Sequence, residues 1–279
     1  MGTLEEDMIT ITHGSVCKGP AFFSCCSVRL GFILAHIIDY EKLPKVVDSK
    51  NTFTMYKPDD KDITFKYFEN YDNFDDIVFD KKTIDIYKKI LYVKNFWNTQ
   101  FSAYKLIDFN LVCPIVKKYF TPSKQVKDYI DNLILKYNIN FDNTCCIFFR
   151  GLDKFTETRL CGYSEYNTHI KSVIEKNPNV KLLIQTDETE FLDYMKENYP
   201  DNMFYFKDEI RHLNKSKTLV ENHFGNTEYF QMNFLAIVNI MSKCKYVVCN
   251  SSNVSLWLIL YREHNKNISQ YLNGNWHTS

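Results

Sequence analysis

The sequence predicts an α/β fold built in two halves, and three observations predict it. A short β-rich run, Met8–Thr12 (MITIT), leads through a loop to a helical stretch and then to a second β-rich run. That β-loop-α-β order belongs to parallel sheets. From about residue 122 onward, short apolar runs alternate regularly with stretches of helical periodicity. Finally, 279 residues at 45% hydrophobic content are enough for a large core and for one or two domains.

The elements follow in order. After MITIT come His13 and Gly14, and a loop runs to about Phe23. SVRLGFILAHIIDYEKL reads as a helix, with Val28, Phe32, Ala35 and Ile38 at helical spacing and Ser24 or Ser27 as its cap. Pro44 ends it, and KVVDS is the next strand. Residues 57–82 are acidic and loop-like, with a short strand expected in DITFKYF. Residues 83–120 carry two or three helical segments rich in aromatics. Thr121-Pro122-Ser123 is a turn that starts a helix, SKQVKDYIDNLILKYN, with Val126, Ile130, Leu133 and Ile134 on one face. Strand TCCIFF follows, then a helix over 163–176, strand VKLLIQT, a helix over 188–198 and strand MFYF. A loop or linker spans 207–226. A helix over 228–243, strand YVVCNS and a helix over 254–264 complete the alternation. The expected division is a smaller α/β domain over 1–121 and a Rossmann-like domain over 122–279.

Composition removes several classes. The 34 basic and 34 acidic residues cancel, and no long basic run supplies the electrostatic footprint of nucleic-acid binding. No GxGxxG or Walker loop is present, so dehydrogenase and NTPase readings fall. No His/Cys spacing suggests zinc. The nine cysteines include two adjacent pairs and no CxxC. Reduced, buried thiols in a reducing compartment are expected, which points to a cytoplasmic protein. No stretch of about 20 apolar residues suggests a membrane span. The acidic opening, Glu5-Glu6-Asp7, does not suit a signal peptide.

In open α/β sheets, ligands bind at the carboxyl ends of the strands. Three strand ends in the second half carry polar clusters: Arg150-Gly151-Leu152-Asp153-Lys154, Gln185-Thr186-Asp187 and Asn250-Ser251-Ser252-Asn253. Each alone has an ordinary structural use, as surface ion pair, helix cap or loop. Together on one edge they suit a nucleoside diphosphate held without a metal. An arginine fork fits the diphosphate, hydroxyls and amides at a helix start fit phosphate, and an aspartate fits a ribose or base. The DxD at Asp60-Lys61-Asp62, a motif with metal-binding uses elsewhere, falls in a charged turn and reads as solvated loop.

These same stretches resemble a known family. RGLDKFTE (150–157) resembles the HxRxxDK…E motif of α1,6-fucosyltransferases and their relatives. LLIQTDETEFLDYMKENYP is similar to their strand-TDD-helix segment, and CKYVVCNSSNVSLWLILYRE to their FSSNVxRxxYEL segment, in the same order and spacing. The resemblance covers about residues 120–265. It implies a GT-B-like fold of two Rossmann-like domains, with the donor nucleotide on the C-terminal one and GDP-fucose used without metal or other cofactor. It implies that Arg150 binds the β-phosphate and stabilises the leaving diphosphate. Asp153 and Lys154 brace that arginine or the donor, and Glu157 completes the motif. Asp187 contacts the nucleoside, and Ser251, Ser252 and Asn253 contact the phosphates. The sequence departs from the family where Phe148 replaces the motif histidine and Leu256 or Trp257 the motif arginine. A family aspartate has only Asn233 or Asn239 near its place. The implied partners are a nucleotide-sugar donor and a glycan or protein acceptor. A base for the acceptor hydroxyl is expected from the first domain, with His13 as the candidate.

Overall fold

Alternation sets the first sheet. In the computed structural model of the chain, which describes residues 2–12, 21–57, 59, 61–89, 93–207, 212–215, 220 and 227–279, Ile9 and Ile11 are fully buried while their neighbours are half-exposed. That period of two makes Met8–Thr12 a strand with one core face. It is β2, flanked by β1 (Thr3–Leu4), antiparallel, and β3 (Val46–Asn51), parallel. Between the parallel strands lies helix α1 (Phe22–Tyr40).

Helix α1 starts earlier than its serines suggest. Its N-cap is Ala21, with no side-chain cap bond, and Ser24 and Ser27 lie inside the helix. The reason is Phe22, whose ring packs 4.7 Å from Tyr67 and 5.1 Å from Phe53. Its backbone N–H donates to the Tyr56 hydroxyl at 2.9 Å, which does the work of a cap. The helix is also long and apolar enough, at mean hydropathy 1.5, to cross a membrane, contrary to the sequence expectation. Yet 72% of that window is buried inside the fold. Its Arg29 is fully buried, donating to Ser49 Oγ (3.2 Å) and the Tyr119 carbonyl (2.9 Å), with the guanidinium 4.9 Å from the Phe120 ring centre. Burial pulls its pKa down.

DITFKYF is not a strand. Asp62 accepts from the Thr64 amide (2.8 Å) and the Thr64 hydroxyl (2.5 Å), and this side-chain turn just before the N-cap Ile63 leads into the one-turn helix α2 (Thr64–Tyr67). Only Phe68 pairs in β fashion, with Pro122. The same Asp62 accepts from the Ser49 amide at 2.7 Å; its DxD partner Asp60 lies outside the described residues. Helices α3 (Lys81–Lys89), α4 (Phe109–Phe120) and α5 (Lys124–Tyr137) follow. The chain forms two compact units. One takes Met1–Gln100, Asp108–Asp128 and Thr227–Leu235; the other takes Phe101–Ile107, Tyr129–Asn226 and Ala236–Ser279.

The second unit is organised by β4 (Thr144–Phe149), in which all six residues are buried. A strand covered on both faces must be apolar throughout, which TCCIFF satisfies. Then come α6 (Tyr163–Lys176), β5 (Lys181–Thr186), α7 (Thr189–Asn198), β6 (Met203–Phe204), α8 (Thr227–Lys243), β7 (Tyr246–Asn250), α9 (Asn253–Arg262), β8 (Ile268–Leu272) and β9 (Asn275–Thr278). The strand order is β6-β5-β4-β7-β8-β9, parallel except for β9. Counted within this sheet the order is 3-2-1-4-5-6, that of a doubly wound α/β sheet whose direction of winding reverses between β4 and β7. One core face gathers Cys145, Ile147 and Phe149 with Ile170, Phe191 and Val248, and the Phe149 and Phe191 rings stack at 4.5 Å. The closing hairpin β8–β9 turns at Asn273 (φ 47°) and Gly274 (φ 92°), an Asn-Gly pair in the left-handed region that such tight hairpins require. Only the first two residues of MFYF pair as strand.

Candidate functional site

The three predicted strand ends are adjacent. β5, β4 and β7 run parallel, so Asp187, Arg150 and Ser251 each follow a strand at one edge of the sheet. The edge is cross-linked. Asn250 Oδ1 accepts from the Arg150 amide at 2.9 Å, and Asn250 Nδ2 donates to the Arg150 carbonyl at 2.7 Å. One amide side chain thus closes both backbone groups of Arg150 across the winding reversal, where the ladder itself has ended.

The Arg150 side chain is held by two carboxylates. Its Nη2 donates to Asp153 Oδ1 at 2.5 Å, and its Nη1 pairs with Asp187 Oδ2. Asp187 Oδ1 accepts from the Gly151 amide at 2.7 Å. The Asp187 side chain is 8% exposed, against 23% for Asp153 and 17% for Arg150. The inner contact is therefore buried and the outer one reaches solvent. Gly151 is needed here, because a Cβ would run into the Glu188 carboxyl.

Lys154 is buried and its Nζ donates to Glu157 Oε2 at 2.6 Å, while the ammonium stands 5.1 Å from the Phe101 ring centre. Desolvation lowers its pKa, opposed by Glu157. Glu188, also buried, accepts from the Tyr163 hydroxyl at 2.5 Å, and burial, with that carboxylate beside it, pushes the phenol well above its usual range.

Ser251 and Ser252 are buried, and the described residues already bond their hydroxyls. Ser251 Oγ accepts from Gln270 Nε2 at 2.6 Å. Ser252 caps α9, accepting from the Ser255 amide at 3.1 Å while its own amide donates to Ser255 Oγ at 2.8 Å. Asn253 opens α9 and is half-buried. His13 lies outside the described residues. The structure therefore brings Arg150, Asp153 and Asp187 into one ion-paired cluster and sets Lys154 with Glu157 just after it in the chain. The sequence placed Asn250 in a polar strand end without showing its role as the backbone clamp, and gave no role to Glu188, against Gly151, or to Tyr104, which reaches Ser252. The acidic pair Asp187-Glu188 was a readable signal; Tyr104, 148 residues from its partner, gave none.

As expected from the sequence, the eight cysteines among the described residues are unbridged and buried. No protein-family model matches the chain, and no curated protein matches it. Among solved structures, NodZ α-1,6-fucosyltransferase soaked with GDP-fucose aligns at 13% identity over 61% of this chain and 53% of that one, with a TM-score of 0.38. A mutant of Arabidopsis thaliana FUT1 in complex with GDP aligns at 10% identity over 64% of this chain and 40% of that one, TM-score 0.38. In these two alignments the chain spans about half or less of the other protein's length. A selenomethionine structure of the fucosyltransferase NodZ from Bradyrhizobium aligns at 12% identity over 97% of this chain and 96% of that one, TM-score 0.49. These solved fucosyltransferases are what the chain is similar to in structure.

Proposed function

We propose that the chain is a metal-independent glycosyltransferase of GT-B-like fold that takes a nucleotide diphosphate sugar, GDP-fucose before others, and transfers the sugar to a hydroxyl of a glycan or protein. The observation that supports this reading is the adjacency of the three family-like stretches at the carboxyl ends of β5, β4 and β7, joined by Arg150–Asp187 and Arg150–Asn250. Sugar transfer builds negative charge on the leaving diphosphate. A fixed guanidinium stabilises that charge without reorganising. In this reading the anion meets the solvent-facing side of Arg150, where Asp153 is the carboxylate free to yield. Asp187 stays inside and holds the fork's angle. Lys154 adds a second positive charge near the same edge.

A second reading is a nucleotide- or sugar-binding protein without turnover. The internal use of the Ser251 and Ser252 hydroxyls favours it, as does Phe148 at the place of the family's histidine.

The deciding experiment is a thermal-shift screen against GDP, UDP, CMP and their sugars, followed by donor hydrolysis with and without EDTA. GDP or GDP-fucose at about 100-fold over Kd is expected to raise Tm by roughly 5 °C or more, with hydrolysis unchanged by EDTA. No shift with any nucleotide ends the donor reading. Activity lost in EDTA and restored by manganese ends the metal-free reading and returns attention to Asp60 and Asp62. Binding without turnover supports the second reading. For the acceptor base, His13→Ala is expected to leave nucleotide affinity unchanged and slow transfer more than hydrolysis, because water needs less positioning than a specific hydroxyl. Loss of GDP binding in that variant removes His13 from the acceptor side.

A further inference from the structure

Tyr104 comes from the short segment Phe101–Ile107, which lies in the first half of the sequence and yet belongs to the second compact unit. Its side chain is buried. The phenolic oxygen lies 2.7 Å from Ser255 Oγ and 3.2 Å from the Ser252 carbonyl, and the Ser252 amide points back at it from 3.4 Å. Its backbone amide donates to Gln270 Oε1 at 2.8 Å. The other end of that Gln270 amide donates to the Ser102 carbonyl (3.0 Å) and to Ser251 Oγ (2.6 Å). Three residues upstream of Tyr104, Phe101 presents its ring to the Lys154 ammonium. One short segment therefore touches both the Ser251–Ser252 turn and the lysine that follows Arg150.

We infer that Tyr104 is a positioning residue for the donor site, holding the Ser251-Ser252-Asn253 turn and the start of α9 at the angle from which they meet a nucleoside diphosphate. The inference rests on the donor reading above. The turn is fixed from one side by Asn250 on the Arg150 backbone and from another by Gln270 on Ser251. Tyr104 is the contact that reaches Ser252 and Ser255 together, the two residues of the α9 cap. Burial pushes the phenol well above its usual range, so it keeps its proton and donates at every working pH. Removing only the hydroxyl leaves the ring in place and loosens the turn on this side, and affinity falls because the ligand must then order it.

The test uses the full chain and GDP as the probe, titrated calorimetrically. Tyr104→Phe is expected to weaken GDP binding about 5-fold, the size of one buried neutral hydrogen bond. KM for donor hydrolysis should rise by the same factor with kcat near wild type, since Arg150 is untouched. Ser255→Ala should weaken binding at least as much, because Ser255 Oγ also accepts from the Ser252 amide (2.8 Å) and reaches the Asn250 carbonyl (2.8 Å), and the double variant should lose less than the sum of the singles, because the Tyr104–Ser255 contact is counted in both. Tyr119→Phe is the control: its hydroxyl bonds the Pro44 carbonyl at 3.2 Å in the first unit, so it should lower Tm and leave GDP affinity alone. If wild type binds GDP and Tyr104→Phe binds it equally, the positioning role is overturned and the donor reading stands. If wild type binds no nucleotide, the donor reading fails and this role falls with it.

Discussion

On the donor reading, Arg150→Ala is expected to lower the rate of donor cleavage by about 10²-fold or more, the loss that follows removal of a charge-stabilising donor from an active site. The expectation rests on where the side chain is. Arg150 follows the central strand, its backbone is clamped on both groups by Asn250, and its guanidinium is angled by Asp187 and Asp153. On the donor reading such a group would meet developing charge with no reorganisation. Arg150→Lys should recover little of the loss, because one ammonium cannot keep the two carboxylate contacts and also face a diphosphate. Steady-state hydrolysis of the donor checks both variants. Since Arg150→Ala also strands the Asp187 carboxylate, Tm and near-ultraviolet circular dichroism must be read alongside the rate. A folded Ala variant with turnover near wild type would leave Arg150 as a structural ion-pair partner only.

Asp187→Ala is expected to destabilise the fold by about 3 kcal/mol, the low end for breaking a buried ion pair. Two groups lose their partner at once: Arg150 Nη1 and the Gly151 amide. The low end applies because Asp153 still holds Nη2 and Arg150 is partly solvated. Asp187→Asn keeps an acceptor for Gly151 and should recover part of the loss. Urea unfolding of the three proteins measures it through the midpoint at constant slope. A loss below about 1 kcal/mol would mean that Asp187 is as replaceable as a surface carboxylate.

The parts legible in the sequence are those fixed by local pattern. TCCIFF, VKLLIQT and YVVCNS read as strands because sheets covered on both faces demand unbroken apolar runs. The polar residues just after them read as a site because sheet edges expose strand ends. Local pattern misled at DITFKYF, where β-like alternation yields to the turn that Asp62 makes with Thr64. It misled at the start of α1, where burial of the Phe22 ring outweighs a serine cap. The final hairpin went unread although Asn273-Gly274 carries its signal. Tyr104 and Gln270 were beyond reach, because contacts between residues 148 and 166 apart leave no periodicity to find.

The buried thiols have a use of their own: they let the folded chain record how often it opens. An alkylating reagent needs both access and thiolate. Burial denies both, raising Cys25 to about 11 and Cys244 and Cys249 to about 12. At mildly alkaline pH these thiols are therefore labelled only as fast as their surroundings come apart. Cys25 and Cys26 report the loosening of α1, while Cys145, Cys146 and Cys249 report the separation of the central strands that carry Arg150 and Asn250. Mass spectrometry of the time course would rank the two regions by opening free energy, site by site, with no probe introduced. Nucleotide added during labelling should slow the second set more than the first.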